Sequence, residues 1–250
     1  MIPKTIHYCW LGNNHLPKKH QKFIKSWKKY MPEYQIKCWN EDNFDIKSNQ
    51  FVYQAYKAKK YAFVADYIRL YALYTEGGIY LDTDVKVLKS FDPYLNYSFV
   101  SSIEYHPIKN IETYVNKEGK RISSFDNFGI SIHSAIIGAE KNSQYIKECL
   151  DYYNNLNFNI NDINANKTIP VVLAIHAEKY GLKYLNEDQK LLNNIMIYSS
   201  DIFSEYRTVS NRSAAIHYCE GSWVHKTLID KIKDCLKNSN TIYKLYKLIK

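Results

Sequence analysis

Residues 61–88, YAFVADYIRLYALYTEGGIYLDTDVKVL, constrain the fold of this chain more than any other stretch. Apolar residues recur at helical spacing up to Glu76, Gly77 and Gly78 supply a stop, and an apolar strand follows at once. The same alternation runs upstream: KTIHYCWLG reads as a buried strand ending in a glycine turn, KKHQKFIKSWKKY as a helix, YQIKCW as a second strand, and residues 50–60 as a further helix. Strand alternating with helix from the first residues predicts an α/β protein with a parallel, doubly wound sheet that places ligands at the carboxyl ends of its strands. Downstream, ISIHSAIIGAEKN reads as a strand and turn, residues 142–157 as a helix, and AAIHYCEGSW as a late strand, whereas residues 157–195 have no readable place in the sheet.

The length of 250 residues suits one large domain, and no repeat or low-complexity linker divides it. A hydrophobic content of 46% against 24% charged residues excludes a disordered chain. No segment approaches membrane-spanning length, and MIPKTIHYCWLG lacks the apolar run of a signal peptide, so a cytosolic protein is expected. Five scattered cysteines, odd in number and without a C-x-x-C pair, indicate neither a disulfide framework nor a zinc ribbon. The formal charge of +9 points to an anionic partner. Its lysines gather near the amino end and in residues 226–250, where Leu228, Ile232, Cys235 and Leu236 recur at helical spacing. That segment reads as a basic amphipathic helix suited either to an anionic bilayer or to packing on the domain.

Asp82 and Asp84 close the strand of the opening stretch, two residues apart and therefore on one side of it. Side by side they repel, and a hard divalent cation such as Mn²⁺ or Mg²⁺ removes the conflict while leaving coordination positions for phosphate oxygens. On the preceding helix Val64, Ile68 and Tyr71 form one apolar face and Leu70 and Leu73 another. Asp66 and Arg69, three apart between those faces, are expected to be partly buried and to need each other.

AFVADYIRLYALYTEGGIYLDTDV closely resembles the core signature of the D-x-D sugar glycosyltransferases of family 32, a group with yeast-type initiating mannosyltransferases and bacterial capsule enzymes; the glucosylating domains of large clostridial toxins share the pattern. IHYCWLG and IHYCEGSW also resemble the family's first and last motifs, so the resemblance spans nearly the whole chain. It implies a GT-A fold, a Rossmann-like sheet with added helices, and metal-dependent transfer of a sugar from a nucleotide-sugar with retention at the anomeric carbon. It implies that Trp10 stacks on the base, that Asn43 lies near the nucleotide, and that Asp66 and Arg69 hold the donor sugar. Tyr80 is matched to a sugar or phosphate contact, Asp82 to a contact with ribose, sugar or metal-bound water, and Asp84 to the direct metal ligand. By analogy His217 completes the metal site, with Glu220 and Ser222 as rivals, while Trp223 resembles the tryptophan of a closing loop hinged at Gly221. Where many relatives carry asparagine this chain has Ser134, preceded by His133, which alters the hydrogen bonding available there.

The expected partners are a nucleotide-sugar, with UDP preferred to GDP, a glycan or lipid-linked oligosaccharide acceptor of the capsule type, and an anionic membrane surface. Nucleic acid is not expected, since the lysines form no recognisable binding module. The alternatives are a non-catalytic basic nucleic-acid-binding protein and a haloacid-dehalogenase-like phosphohydrolase with Asp82 as nucleophile and Asp84 as acid; the latter lacks that family's supporting motifs, NEDQK at 186–190 being a poor substitute.

Overall fold

The computed structural model describes residues 1–12, 14–159 and 167–220. Its large sheet opens with β1 (Thr5–Cys9), β2 (Gln35–Trp39) and β3 (Gly78–Leu81), all parallel, with β1 in the middle. The crossovers are α1 (Lys18–Tyr30) between β1 and β2, then α2 (Gln50–Lys57) and α3 (Tyr61–Glu76) between β2 and β3. Asn49 caps α2 by accepting a hydrogen bond from the Val52 amide, and α3 ends where the Gly77 amide bonds to the Leu73 carbonyl. Gly77 and Gly78 both have positive φ.

The remaining strands are β4 (Val85–Val87), β5 (Phe99–Tyr105), β6 (Ile130–Ile132), β7 (Ile136–Ala139), β8 (Gln189–Lys190), β9 (Ile195–Tyr198), β10 (Phe203–Glu205) and β11 (Ala215–His217). The large sheet runs β2-β1-β3-β7-β5-β9-β8, with β6 also beside β5. The expected α/β class is borne out, but the parallel sheet holds only at β2-β1-β3 and β5-β9. Antiparallel β7 lies between β3 and β5, so the sheet is mixed. The stretch 130–139, expected as one strand, is split by a bulge at His133–Ala135. Ile132 pairs with Ile103 before the bulge and Gly138 with Val100 after it.

Asp82–Asp84 is also not strand. The Val85 amide bonds back to the Asp82 carbonyl, and the chain leaves the large sheet for a second one of order β10-β11-β4. Here β4 and β11 are antiparallel and β10 and β11 parallel. Helix α4 (Gln144–Asn154) and helix α5 (Ile169–Ala177) are the remaining α-helices among the described residues, α5 filling part of the stretch that the sequence left unplaced.

Alternate residues of the large sheet feed two cores, as strand periodicity requires. Tyr80, Phe99, Ile103 and Ile137 pack with α2, α3, α4 and α5 on one face. Ile6, Ile79, Leu81, Val100 and Ile136 pack with α1 and the small sheet on the other. Trp27 of α1 is fully buried there and donates its indole N–H to the Val85 carbonyl at 2.8 Å, which ties the helix to the turn after Asp84.

The α3–β3 junction depends on glycine. A Cβ on Gly78, at φ +112°, would lie 2.5 Å from the Thr5 carbonyl oxygen, backbone that is held in place by the β1–β2 ladder. Gly78→Ala is therefore expected to cost about 1–3 kcal/mol, measurable as a lowered urea midpoint with unchanged m-value. An unchanged midpoint would show that the junction is not under this constraint.

Candidate functional site

Four segments that are distant in sequence converge beyond the carboxyl end of β3. Arg69, 5% exposed, is the centre of the first group. Its Nη2 lies 2.9 Å from Asp66 Oδ1 and 3.6 Å from Asp82 Oδ1, and Nη1 donates to the Ser134 carbonyl at 2.8 Å. The guanidinium sits 4.6 Å above the Tyr80 ring, and the Tyr80 hydroxyl donates to Asp82 Oδ1 at 3.0 Å. One cation thus serves two carboxylates. Burial, only partly offset by Arg69, pushes the Asp66 carboxyl up to about 6.

The second group is built by sheet register. Because Val85 pairs with His217 across β4 and β11, the imidazole is placed beside Asp84, with His217 Nε2 3.3 Å from Asp84 Oδ1. The other oxygen, Oδ2, accepts the Glu220 backbone N–H at 2.8 Å. Burial works against the charged form of both side chains. The pairing prevails, holding Asp84 well below the usual carboxylate range and His217 well above the usual imidazole range.

Ligand atoms of Asp82, Asp84 and His217 all lie within 4.8 Å of one another. Two carboxylate oxygens and one imidazole nitrogen form a donor set suited to a divalent ion such as Mn²⁺. The two carboxylates make this a place where positive charge is stabilised. The residues present therefore fit a bound divalent metal.

The other residues singled out from the sequence are distributed unevenly. Half-buried Trp10 donates its indole N–H to the Asn14 carbonyl at 2.6 Å and meets His20 edge-on, with ring centroids 5.6 Å apart. His20 in turn contacts Glu220 Oε2 at 3.2 Å, and Lys19 pairs with Oε1, so the Glu220 carboxylate is held by α1 while its amide serves Asp84. Tyr80, matched to a sugar or phosphate contact, is 1% exposed and presents its hydroxyl to Asp82. Exposed Asn43 is committed to its own turn, donating to the Cys38 carbonyl at 2.7 Å and accepting from the Asn40 amide at 3.0 Å. At Ser134 the backbone carbonyl, rather than the hydroxyl, is the group Arg69 uses. Gly221, Ser222, Trp223 and the expected basic helix of residues 226–250 lie outside the described residues.

Residues 17–100 match the family described as "Glycosyltransferase sugar-binding region containing DXD motif". That match is a likeness confined to this part of the chain. The resemblance read from the sequence is borne out over that span, which holds Asp66, Arg69, Asp82 and Asp84 but neither Trp10 nor His217. Two curated proteins are similar over part of their length. Inositol phosphoceramide mannosyltransferase 3 of Schizosaccharomyces pombe is 34% identical over 100 residues, covering 38% of this chain and 28% of that protein. Uncharacterized glycosyltransferase L373 of Acanthamoeba polyphaga mimivirus is 32% identical over 124 residues, covering 46% of this chain and 48% of that protein. The chain thus spans less than half the length of either relative. Among solved structures, PaToxG glycosyltransferase is similar with a TM-score of 0.49 and 20% identity, covering 71% of this chain and 69% of that one.

Three further residues escaped the sequence reading. Glu41 accepts the Gly12 amide at 2.6 Å and the Tyr56 hydroxyl at 2.9 Å, tying the loop after β1 to α2. Glu104 and Glu205 approach from β5 and β10, and only the Glu104-x-His106 spacing at the end of an apolar strand hinted at one of them.

Proposed function

We propose that this chain is a metal-dependent, retaining glycosyltransferase, a single domain over residues 1–250 that moves a sugar from a nucleotide-sugar to a glycan or lipid-linked acceptor. The observation that carries this reading is the convergence of Asp82, Asp84 and His217 beside the Asp66–Arg69 pair, at the end of a strand inside the matched region. Asp84 and His217, with Asp82, would hold Mn²⁺ or Mg²⁺, which when bound supplies Lewis acidity toward the donor diphosphate.

The chain's own groups divide the remaining work. Asp82 is held by Tyr80 and Arg69 and keeps one oxygen for ribose, sugar or water. Arg69 is fixed by hydrogen bonds to Asp66 and the Ser134 carbonyl, with Asp82 3.6 Å away, and places positive charge where negative charge develops on the leaving diphosphate. Asp66 accepts from Arg69 through Oδ1, which leaves its second oxygen for a sugar hydroxyl. Trp10 offers an aromatic face for the base. The role of the product in capsule or other surface polysaccharide, and the preference for UDP over GDP, belong to this proposal and follow the family resemblance. The match over residues 17–100 favours it over a phosphohydrolase.

The test is a thermal-shift panel of UDP, GDP, CMP and their common sugars, each with Mn²⁺ and with EDTA. One nucleotide class is expected to raise Tm only with the metal, because ligand binding to the folded state stabilises it by mass action. A folded protein that responds to none of them would refute the reading.

A cytoplasmic location, peripheral on the inner face of the membrane, completes the proposal. No helix among the described residues is long and apolar enough to cross a membrane. Residues 226–250 carry lysines between apolar positions, and their removal is expected to reduce co-sedimentation with anionic vesicles while leaving donor hydrolysis intact. Unchanged co-sedimentation would argue against a membrane role for that segment.

A further inference from the structure

Beside the Asp84–His217 pair lies a second cluster of ionisable groups that the proposed transfer does not use. Glu104 and His106 alternate across the end of β5 and so project from one face of it. Opposite them stands Glu205, the last residue of β10, only 8% exposed. His106 Nε2 is 2.8 Å from Glu205 Oε2, and ligand atoms of Glu104, His106 and Glu205 all lie within 4.8 Å of one another. Ligands about 2.0–2.2 Å from one tetrahedral ion lie roughly 3.4 Å apart, so the side chains close the set by drawing together around the ion.

The charge count in this cluster is unfavourable without a cation. Two carboxylates share one histidine, and burial together with the facing Glu205 pushes Glu104 up to about 7. His133 lines the same cavity, is 2% exposed, and has neither ring nitrogen hydrogen-bonded. A buried imidazole with both nitrogens unsatisfied is costly and needs a reason. The recess is too tight for a small-molecule ligand, and its polar groups face one another across it.

We propose that Glu104, His106 and Glu205 form a second metal site, for a divalent cation of the zinc type, with His133 closing its inner wall. Carboxylate and imidazole ligands in a partly enclosed setting are the donor set of such an ion. The ion staples the end of β5 in the large sheet to β10 in the small one. Glu205 is paired in register with His217 of β11, and the His133 ring lies 5.2 Å from the His217 ring, so the staple also fixes the strand that carries His217. Glu104, His106 and Glu205 are therefore positioning residues, and the site stands whether or not the chain transfers a sugar.

The test uses the full chain carrying Asp82→Asn and Asp84→Asn, dialysed against Zn²⁺ and assayed for bound metal, with circular dichroism confirming the fold. One equivalent of zinc and a zinc-dependent rise in Tm are expected, and adding Glu104→Gln with His106→Gln should weaken binding at least tenfold. Adding Glu205→Gln to the same background gives a second, independent reading should that pair fail to fold. A folded Asp82→Asn, Asp84→Asn protein that binds no zinc would overturn the proposal, as would undiminished binding in the folded glutamine variants. No donor sugar enters this experiment, so its failure and that of the transferase reading are separable.

Discussion

Replacing Arg69 with methionine is expected to lower stability by about 3–5 kcal/mol, the cost of removing one partner from a buried ionic cluster. The methionine retains most of the aliphatic packing over Tyr80 but leaves Asp66 and Asp82 facing one another without their shared cation. It also orphans the Ser134 carbonyl at the bulge between β6 and β7, since guanidinium Nη1 is its partner. Neutralising the nearer carboxylate should recover part of the loss, so Asp66→Asn with Arg69→Met is expected to be more stable than Arg69→Met alone. Urea denaturation of the wild type, the two single variants and the double variant measures the coupling. A loss below about 1 kcal/mol for Arg69→Met would show that the cluster behaves as an exposed ion pair, contrary to its burial.

Asp84→Asn should behave in the opposite way, folding nearly normally while losing turnover by about 10³-fold, equivalent to roughly 4 kcal/mol of transition-state stabilisation. Asparagine has the same shape, and its oxygen can still accept the Glu220 amide that Asp84 accepts at 2.8 Å. Its new NH₂ can donate to His217, which sheds a proton far more readily than Arg69 does; the remaining partner therefore neutralises rather than standing as a buried unpaired charge. What is lost is the negative charge that a divalent ion requires. Nucleotide release measured with and without Mn²⁺, together with the melting curve, separates the two effects. Wild-type turnover by this variant would remove Asp84 from the metal site.

The contrast between Arg69 and Asp84 also marks what the sequence could reveal. Helix α3 was legible to its last residue because the signals are local: the apolar spacing over 61–76 and the positive-φ glycine that follows. The burial of Arg69 followed from its place between two apolar faces. The turn at Asp82–Asp84 was not legible, because an apolar run that continues through Val85 and Val87 looks like one strand until β11, some 130 residues later, claims its second half. The bulge at His133–Ala135 has the same origin. Ser101 Oγ bonds to the carbonyls of both His133 and Ile136, and the His133 amide bonds to the Ser102 carbonyl, contacts that only the pairing with β5 creates. His217 was placed by family analogy alone, and the β4–β11 register supplies the physical reason for its position. Glu205 had no local signal, since its companions Glu104 and His106 lie about a hundred residues earlier in another sheet.

The central claim is that this chain breaks a nucleotide-sugar with the help of a metal held at Asp82, Asp84 and His217. Its most direct test is release of free nucleoside diphosphate from a panel of nucleotide-sugars by the purified chain of residues 1–250, with Mn²⁺ and after EDTA. Release from one donor, abolished by EDTA and restored by Mn²⁺, is the expected result. Release of inorganic phosphate from phosphomonoesters with every nucleotide-sugar left intact would contradict it.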